Sequence, residues 1–135
     1  MTHIESKIGT IKLPDEKIYN FLSDFNNFKS LIPPDKLKNW SSSADSCHFT
    51  VDGLGNADLK IIEKKPFNLI KIASEGNSPV SFFLWIQIKK VEVNDSRIRI
   101  VIEPLVNQML MVVVKDPLQK FVDMLVDQLE KLPFE

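Results

Sequence analysis

Residues 107–132 read NQMLMVVVKDPLQKFVDMLVDQLEKL, and how this stretch is read decides the fold. Met111, Val114, Leu118, Phe121, Val122, Leu125, Leu129 and Leu132 recur at helical spacing and share one face. Lys115, Asp116, Lys120, Asp123, Asp127, Glu130 and Lys131 fall off that face. The first part, Met109–Val114, has the propensity of a strand. It reads as helix instead because Leu110, Val114 and Leu118 continue the downstream stripe and Asn107 supplies a cap. Pro117 predicts a bend, or a break at Asp116. A lone amphipathic helix with one apolar face needs a sheet to lie on.

The preceding sequence supplies that sheet. From Leu37 onward the apolar pattern has period two, predicting strands over 37–43, 47–52, 56–65, 68–75, 80–93 and 96–105. Their separators are turn-like: Ala44-Asp45-Ser46, Gly53-Leu54-Gly55, Pro66-Phe67, Gly76-Asn77-Ser78-Pro79 and Asn94-Asp95. Connections this short require antiparallel neighbours. Alternation sets Phe49 and Val51, Leu59 and Ile61, Ile70 and Ile72, the even-numbered residues Phe82 to Ile88, and Ile98, Ile100 and Ile102 on the inner face. Residues 2–12 form a first strand with an irregularity near Gly9, and Pro14-Asp15-Glu16 opens a short helix through Phe25. Phe28, Leu31 and Ile32 predict a second short helix stopped by Pro33-Pro34. The whole is a single α+β domain over residues 1–135.

Composition narrows the function. Seventeen basic and eighteen acidic side chains give a net charge of −1, so no global field favours nucleic acid or an anionic membrane. The longest apolar run, Met109–Val114, is far short of a span, so no stable membrane insertion is expected. The N-terminus lacks the pattern of a signal peptide and Cys47 is the one cysteine, which together point to a reducing, cytoplasmic setting.

The element order resembles the helix-grip fold of the SRPBCC superfamily. That superfamily holds the START-like lipid-binding proteins, birch-pollen-allergen (Bet v 1)-like proteins, polyketide cyclases and coenzyme-Q-binding relatives. The resemblance covers essentially the whole chain. It rests on Pro14-Asp15-Glu16 with Ile18 and Phe21-Leu22, on Ser23-Asp24-Phe25-Asn26-Asn27-Phe28 leading to Leu31-Ile32-Pro33, and on Phe82–Ile88 and Pro117–Leu132. The last two look like the small bacterial, polyketide cyclase-like branch. The resemblance implies a curved seven-stranded antiparallel sheet wrapped around the C-terminal helix, two short helices between strands one and two, and a hydrophobic tunnel between sheet and helix. Its walls would come from the inward set Phe49, Val51, Leu59, Ile61, Ile70, Ile72, Phe82, Leu84, Ile100, Ile102, Leu118, Phe121 and Leu125. The same side chains are equally suited to fill a solid core. A ligand tunnel would measure ~300–1,000 Å3 and take a lipid, isoprenoid or polyketide-like molecule.

Catalytic signals are sparse. Two histidines and one cysteine do not make a zinc site, and the neighbours Cys47 and His48 point to opposite faces of their strand. Gly53-Leu54-Gly55 leads into a strand and is a hairpin turn rather than a dinucleotide loop. No phosphate loop, nucleophile elbow or cofactor motif is present. Strand parity puts Asp58, Glu103 and Glu5 outside, whereas Glu63 shares parity with Leu59 and Ile61. An inward Glu63 would serve a cyclase or dehydratase as acid or base; an ion pair with Lys64, Lys65 or Lys71 is the plainer alternative. Met109, Val112 and Val113 lie off the buried stripe and offer a homodimer or partner contact.

Overall fold

The computed structural model describes residues 3–31, 37–51, 55–75 and 81–131, with side chains at all of these except 29–31, 37, 51 and 55. Helix α1 (Asp15–Leu22) starts after Pro14, carries Asp15 and Glu16 in its first turn, and buries Ile18, Tyr19 and Leu22. A 3₁₀ helix, Phe25–Leu31, follows. Its first N–H donates to the Ala44 carbonyl at 3.0 Å, and Phe25 and Phe28 pack edge to face at 4.8 Å. The expected second helix therefore begins at Phe25; Ile32, Pro33 and Pro34 lie outside the described residues.

Six strands then run as antiparallel neighbours in chain order: β3 (Leu37–Ser42), β4 (Ser46–Val51), β5 (Gly55–Lys65), β6 (Leu69–Ser74), β7 (Phe82–Glu92) and β8 (Asp95–Pro104). The first strand comes in two pieces, β1 (Ile4–Glu5) and β2 (Gly9–Ile11), both antiparallel to β8. Between them Ser6 donates its N–H to the Ile100 carbonyl at 2.8 Å and accepts the Ile100 N–H on its Oγ at 2.9 Å. A side chain thus replaces a ladder bond, so the seven expected strands become an eight-stranded sheet with the first one split.

Helix α2 (Gln108–Lys131) closes the inner face. Asn107 caps it, its Oδ1 accepting the Leu110 N–H at 2.8 Å. The helix continues through Pro117, contrary to the expected break. Pro117 and Val113, whose carbonyl the missing N–H leaves free, are both exposed, so water can serve that group. The buried face comprises Val114, Leu118, Val122, Leu125, Val126 and Leu129. It differs from the predicted stripe at four described places: Met111 and Phe121 are half-buried, Leu110 is exposed, and Val126 is fully buried.

Val126 is buried because the N-terminal segment crosses beneath it. At Gly9 a Cβ would stand 2.6 Å from Val126 Cγ1 and 3.1 Å from Ile98 Cγ2, so only glycine fits between helix and sheet. The acidic side of α2 holds the same segment. Asp123 accepts the Lys7 N–H and Glu130 the Thr10 N–H, each at 2.8 Å, Asp127 pairs with Lys7 Nζ, and Gln119 donates to the Glu5 carbonyl at 2.8 Å. The core is one continuous layer between this helix and the inward residues of the sheet, above all Ile70, Ile72, Ile86, Ile98, Ile100 and Ile102.

Candidate functional site

The concave side of the sheet, where the tunnel was expected, holds a cavity of about 30 Å3. That is room for a water molecule or two and far below the ~300–1,000 Å3 of a ligand site. Among the described residues, the inward side chains fill most of the space around this cavity. Seven of the expected wall residues do line it: Phe49, Leu59, Ile72, Leu84, Ile100, Phe121 and Leu125. Ile61, Ile70, Ile102 and Leu118 are buried elsewhere in the core, and Phe82 is half-buried away from the cavity. The Val51 side chain lies outside the described residues. Leu22, Phe28, Trp40, Ile86 and Leu129 complete the lining. Ile86 and Leu129 belonged to the apolar periodicities; Leu22, Phe28 and Trp40 come from the short helices and the edge strand, whose direction no strand parity could give.

Trp40 explains the character of this end of the cavity. A register shift in β3 between Lys38 and Ser41, with Asn39 in the left-handed region at φ 58°, turns the indole inward. It stacks on Phe49 at 5.4 Å. Its Nε1–H donates to Ser42 Oγ at 3.1 Å, and Ser42 donates onward to Asn26 Oδ1 at 2.7 Å. With the indole nitrogen so engaged, the lining presents no free polar group to a ligand among the described residues. Trp40 and Phe121 are both half-buried, so two large rings at the rim have one side toward solvent.

The titratable candidates sit elsewhere. A register shift between Ile61 and Glu63 in β5 undoes the parity argument, and Glu63 is exposed with its carboxylate 3.8 Å from Lys65 Nζ. Of the two readings, the inward acid or base is overturned and the plainer one, a surface ion pair with Lys65, holds. Cys47 points in and is buried; desolvation first, and the negative charge of Asp58 second, push its thiol up to about 12. His48 points out, its Nδ1 bonded to the Asp58 carboxylate in the register row Ser41–His48–Asp58 across β3, β4 and β5. The histidine and aspartate side chains are 41% and 36% exposed, so this pair is well solvated. Among the described residues no group of three or more His, Cys, Asp and Glu side chains is placed to hold a metal ion. Glu103 and Glu5 lie on the outer face, 4.0 Å from His3 Nε2 and 3.3 Å from Arg99. Trp85 also lies outside, near His3 and Phe83, with Lys71 Nζ over both aromatic rings.

A second apolar feature is on the surface. Met109, Val112 and Val113 are 82%, 80% and 66% exposed on the first turns of α2, beside the exposed Leu105. Among the described residues no helix is long and apolar enough to cross a membrane.

No protein-family model and no curated protein sequence matches the chain. Solved structures do. A START superfamily protein from Mycobacterium smegmatis superposes with a TM-score of 0.74 at 12% identity, over 95% of this chain and 94% of that one. A norcoclaurine synthase point mutant from Thalictrum flavum gives 0.72 at 14% identity, over 96% and 94%. The Aha1 dimer from Colwellia psychrerythraea gives 0.68 at 22% identity, over 97% and 98%. The chain has the helix-grip fold of the START and Bet v 1-like proteins.

Proposed function

We propose that the chain binds an apolar small molecule between the sheet and α2, by opening the cavity that the folded core nearly fills. The observation that supports this is the composition of the lining: wholly apolar, with Trp40 and Phe121 half-buried at its rim. Desolvation drives such binding, at on the order of 25 cal/mol per Å2 of apolar surface removed from water. The fold shared with a START superfamily protein is in keeping with it. Because the cavity measures about 30 Å3, the ligand must displace side chains to enter. With no free polar group inside among the described residues, an amphipathic ligand keeps its head at the rim and buries only its tail. The test is uptake of naphthalene and lauric acid, followed by amide chemical shifts at Leu84, Ile100 and Leu125. Phe121→Ala removes a ring from the rim and enlarges the cavity, and several-fold tighter uptake than wild type is the expected result. Should neither wild type nor a folded Phe121→Ala protein take up either probe, the core is solid and the reading fails.

The exposed Met109, Val112 and Val113 favour a second reading, self-association through the first turns of α2. The structural similarity to the Aha1 dimer is in keeping with it.

A further inference from the structure

A groove of about 750 Å3 runs from the β5–β6 turn across the ends of β7 and β8 to the start of α1, and shares no lining residue with the inner cavity. The registers Gln87↔Arg99 and Lys89↔Arg97 set four polar side chains in two adjacent rows, and Leu69 pairs with Gln87 to extend one of them. Phe67 on the β5–β6 turn, Ile8 and Lys90 complete the walls that matter, and Asp15 is the acidic residue among them.

Two unfavourable local arrangements meet there. Like charges directly opposite on antiparallel strands repel, yet Lys89 faces Arg97, with Arg99 two residues further along β8. The available acids offset only part of this. Asp95 serves Arg97 at 2.6 Å and also Lys12 at 3.3 Å, while Glu5 lies 3.3 Å from Arg99. Lys89 and Lys90 are exposed and stand in no ion pair among the described residues. This surplus is local, since the chain as a whole carries −1. The second arrangement is the backbone of Phe67, at φ 66° in the left-handed region, where a bulky side chain is an outlier that asparagine or glycine would relieve. It holds the phenyl 40% exposed at the groove wall, edge-on to Tyr19 at 5.7 Å. Arg99 Nε donates to Gln87 Oε1 at 2.9 Å, which leaves the Gln87 amide N–H groups to donate into the groove.

The geometry points to a binding site for an organic phosphate carried on a flat apolar body. Lys89, Lys90 and Arg97 would neutralise the phosphate, Gln87 would donate to it, and the apolar body would lie along Phe67 and Ile8. A soluble phosphate ester and a phospholipid headgroup share this chemistry.

The probes are 1-naphthyl phosphate, inorganic phosphate, and phosphatidylcholine vesicles with and without phosphatidic acid. Naphthyl phosphate should shift the amides of Phe67, Gln87, Lys89 and Arg97, bind more tightly than inorganic phosphate, and weaken as salt is added. The double variant Lys89→Gln, Lys90→Gln removes two unpaired exposed cations and should raise Kd at least tenfold with the fold intact. Phe67→Asn suits the left-handed backbone, so it should keep thermal stability while also weakening binding, which separates a ligand contact from a structural one. Sedimentation with phosphatidic acid vesicles, blocked by naphthyl phosphate, would support the site with a lipid headgroup as its source. Naphthyl phosphate binding without vesicle binding would support it with a soluble source. Shifts confined to other surfaces, wild-type affinity in both variants, or inorganic phosphate binding as tightly as the naphthyl ester would overturn the proposal.

Discussion

At the scale of single residues, Gly9 and Cys47 carry the sharpest consequences. Gly9 is required by space rather than by backbone freedom, since Val126 Cγ1 occupies the position its Cβ would need. Gly9→Ala is therefore expected to cost about 1–3 kcal/mol in chemical denaturation. A loss near zero would mean that α2 yields easily at this point. Cys47 has its thiol pushed from 9.0 up to about 12 by burial and by Asp58. In the unfolded chain the thiol ionises first, so stability from this group is intact below about pH 9 and falls as pH rises toward about 12. Alkylation by iodoacetamide at pH 8 should run roughly a thousandfold slower in the native protein than in urea. Equal rates would place the thiol at the surface. The burial of Cys47 and the exposure of His48 were both legible from strand alternation. The inward turn of Trp40 was not, because it depends on a bulge and a left-handed Asn39 that no periodicity reveals.

At the scale of elements, the helix that decides the fold was legible from its stripe and its Asn107 cap, and the ambiguous Met109–Val114 is helical. Sequence reasoning failed where a local irregularity shifts phase. The Ser6 side chain splits the first strand, and the shift between Ile61 and Glu63 moves a candidate acid to the surface. Pro117 was expected to bend α2 or break it at Asp116; the helix does not break and carries the proline on an exposed turn. A proline inside a helix costs up to ~3 kcal/mol relative to alanine. Pro117→Ala should then stabilise the protein by about 1–3 kcal/mol, read as a higher denaturation midpoint at unchanged m-value. A lower midpoint would show that the ring makes a favourable contact outweighing its missing hydrogen bond.

At the scale of the whole molecule, alternation and helical spacing define the two layers but not the space left between them. That space depends on how far half-buried rings such as Trp40 and Phe121 reach inward, which is a matter of rotamer and bulge rather than pattern. Among the described residues, the same layering leaves the start of α2 uncovered. If two copies meet there, Val112→Lys, a change at an 80% exposed position, should convert a concentration-dependent dimer to a monomer in sedimentation velocity without lowering Tm. A wild-type protein that sediments as a monomer at high concentration would remove that reading. The pairing of the first strand has a further consequence for the order in which the fold closes. Among the described residues, β1 and β2 pair with β8 alone, and carboxylates of α2 pin the same segment, partners more than eighty residues along the chain. The meander β3–β8, by contrast, joins sequence neighbours hairpin by hairpin. Closing this edge costs the loop entropy of a long sequence separation, so β1 and β2 are expected to dock after the local hairpins of the meander.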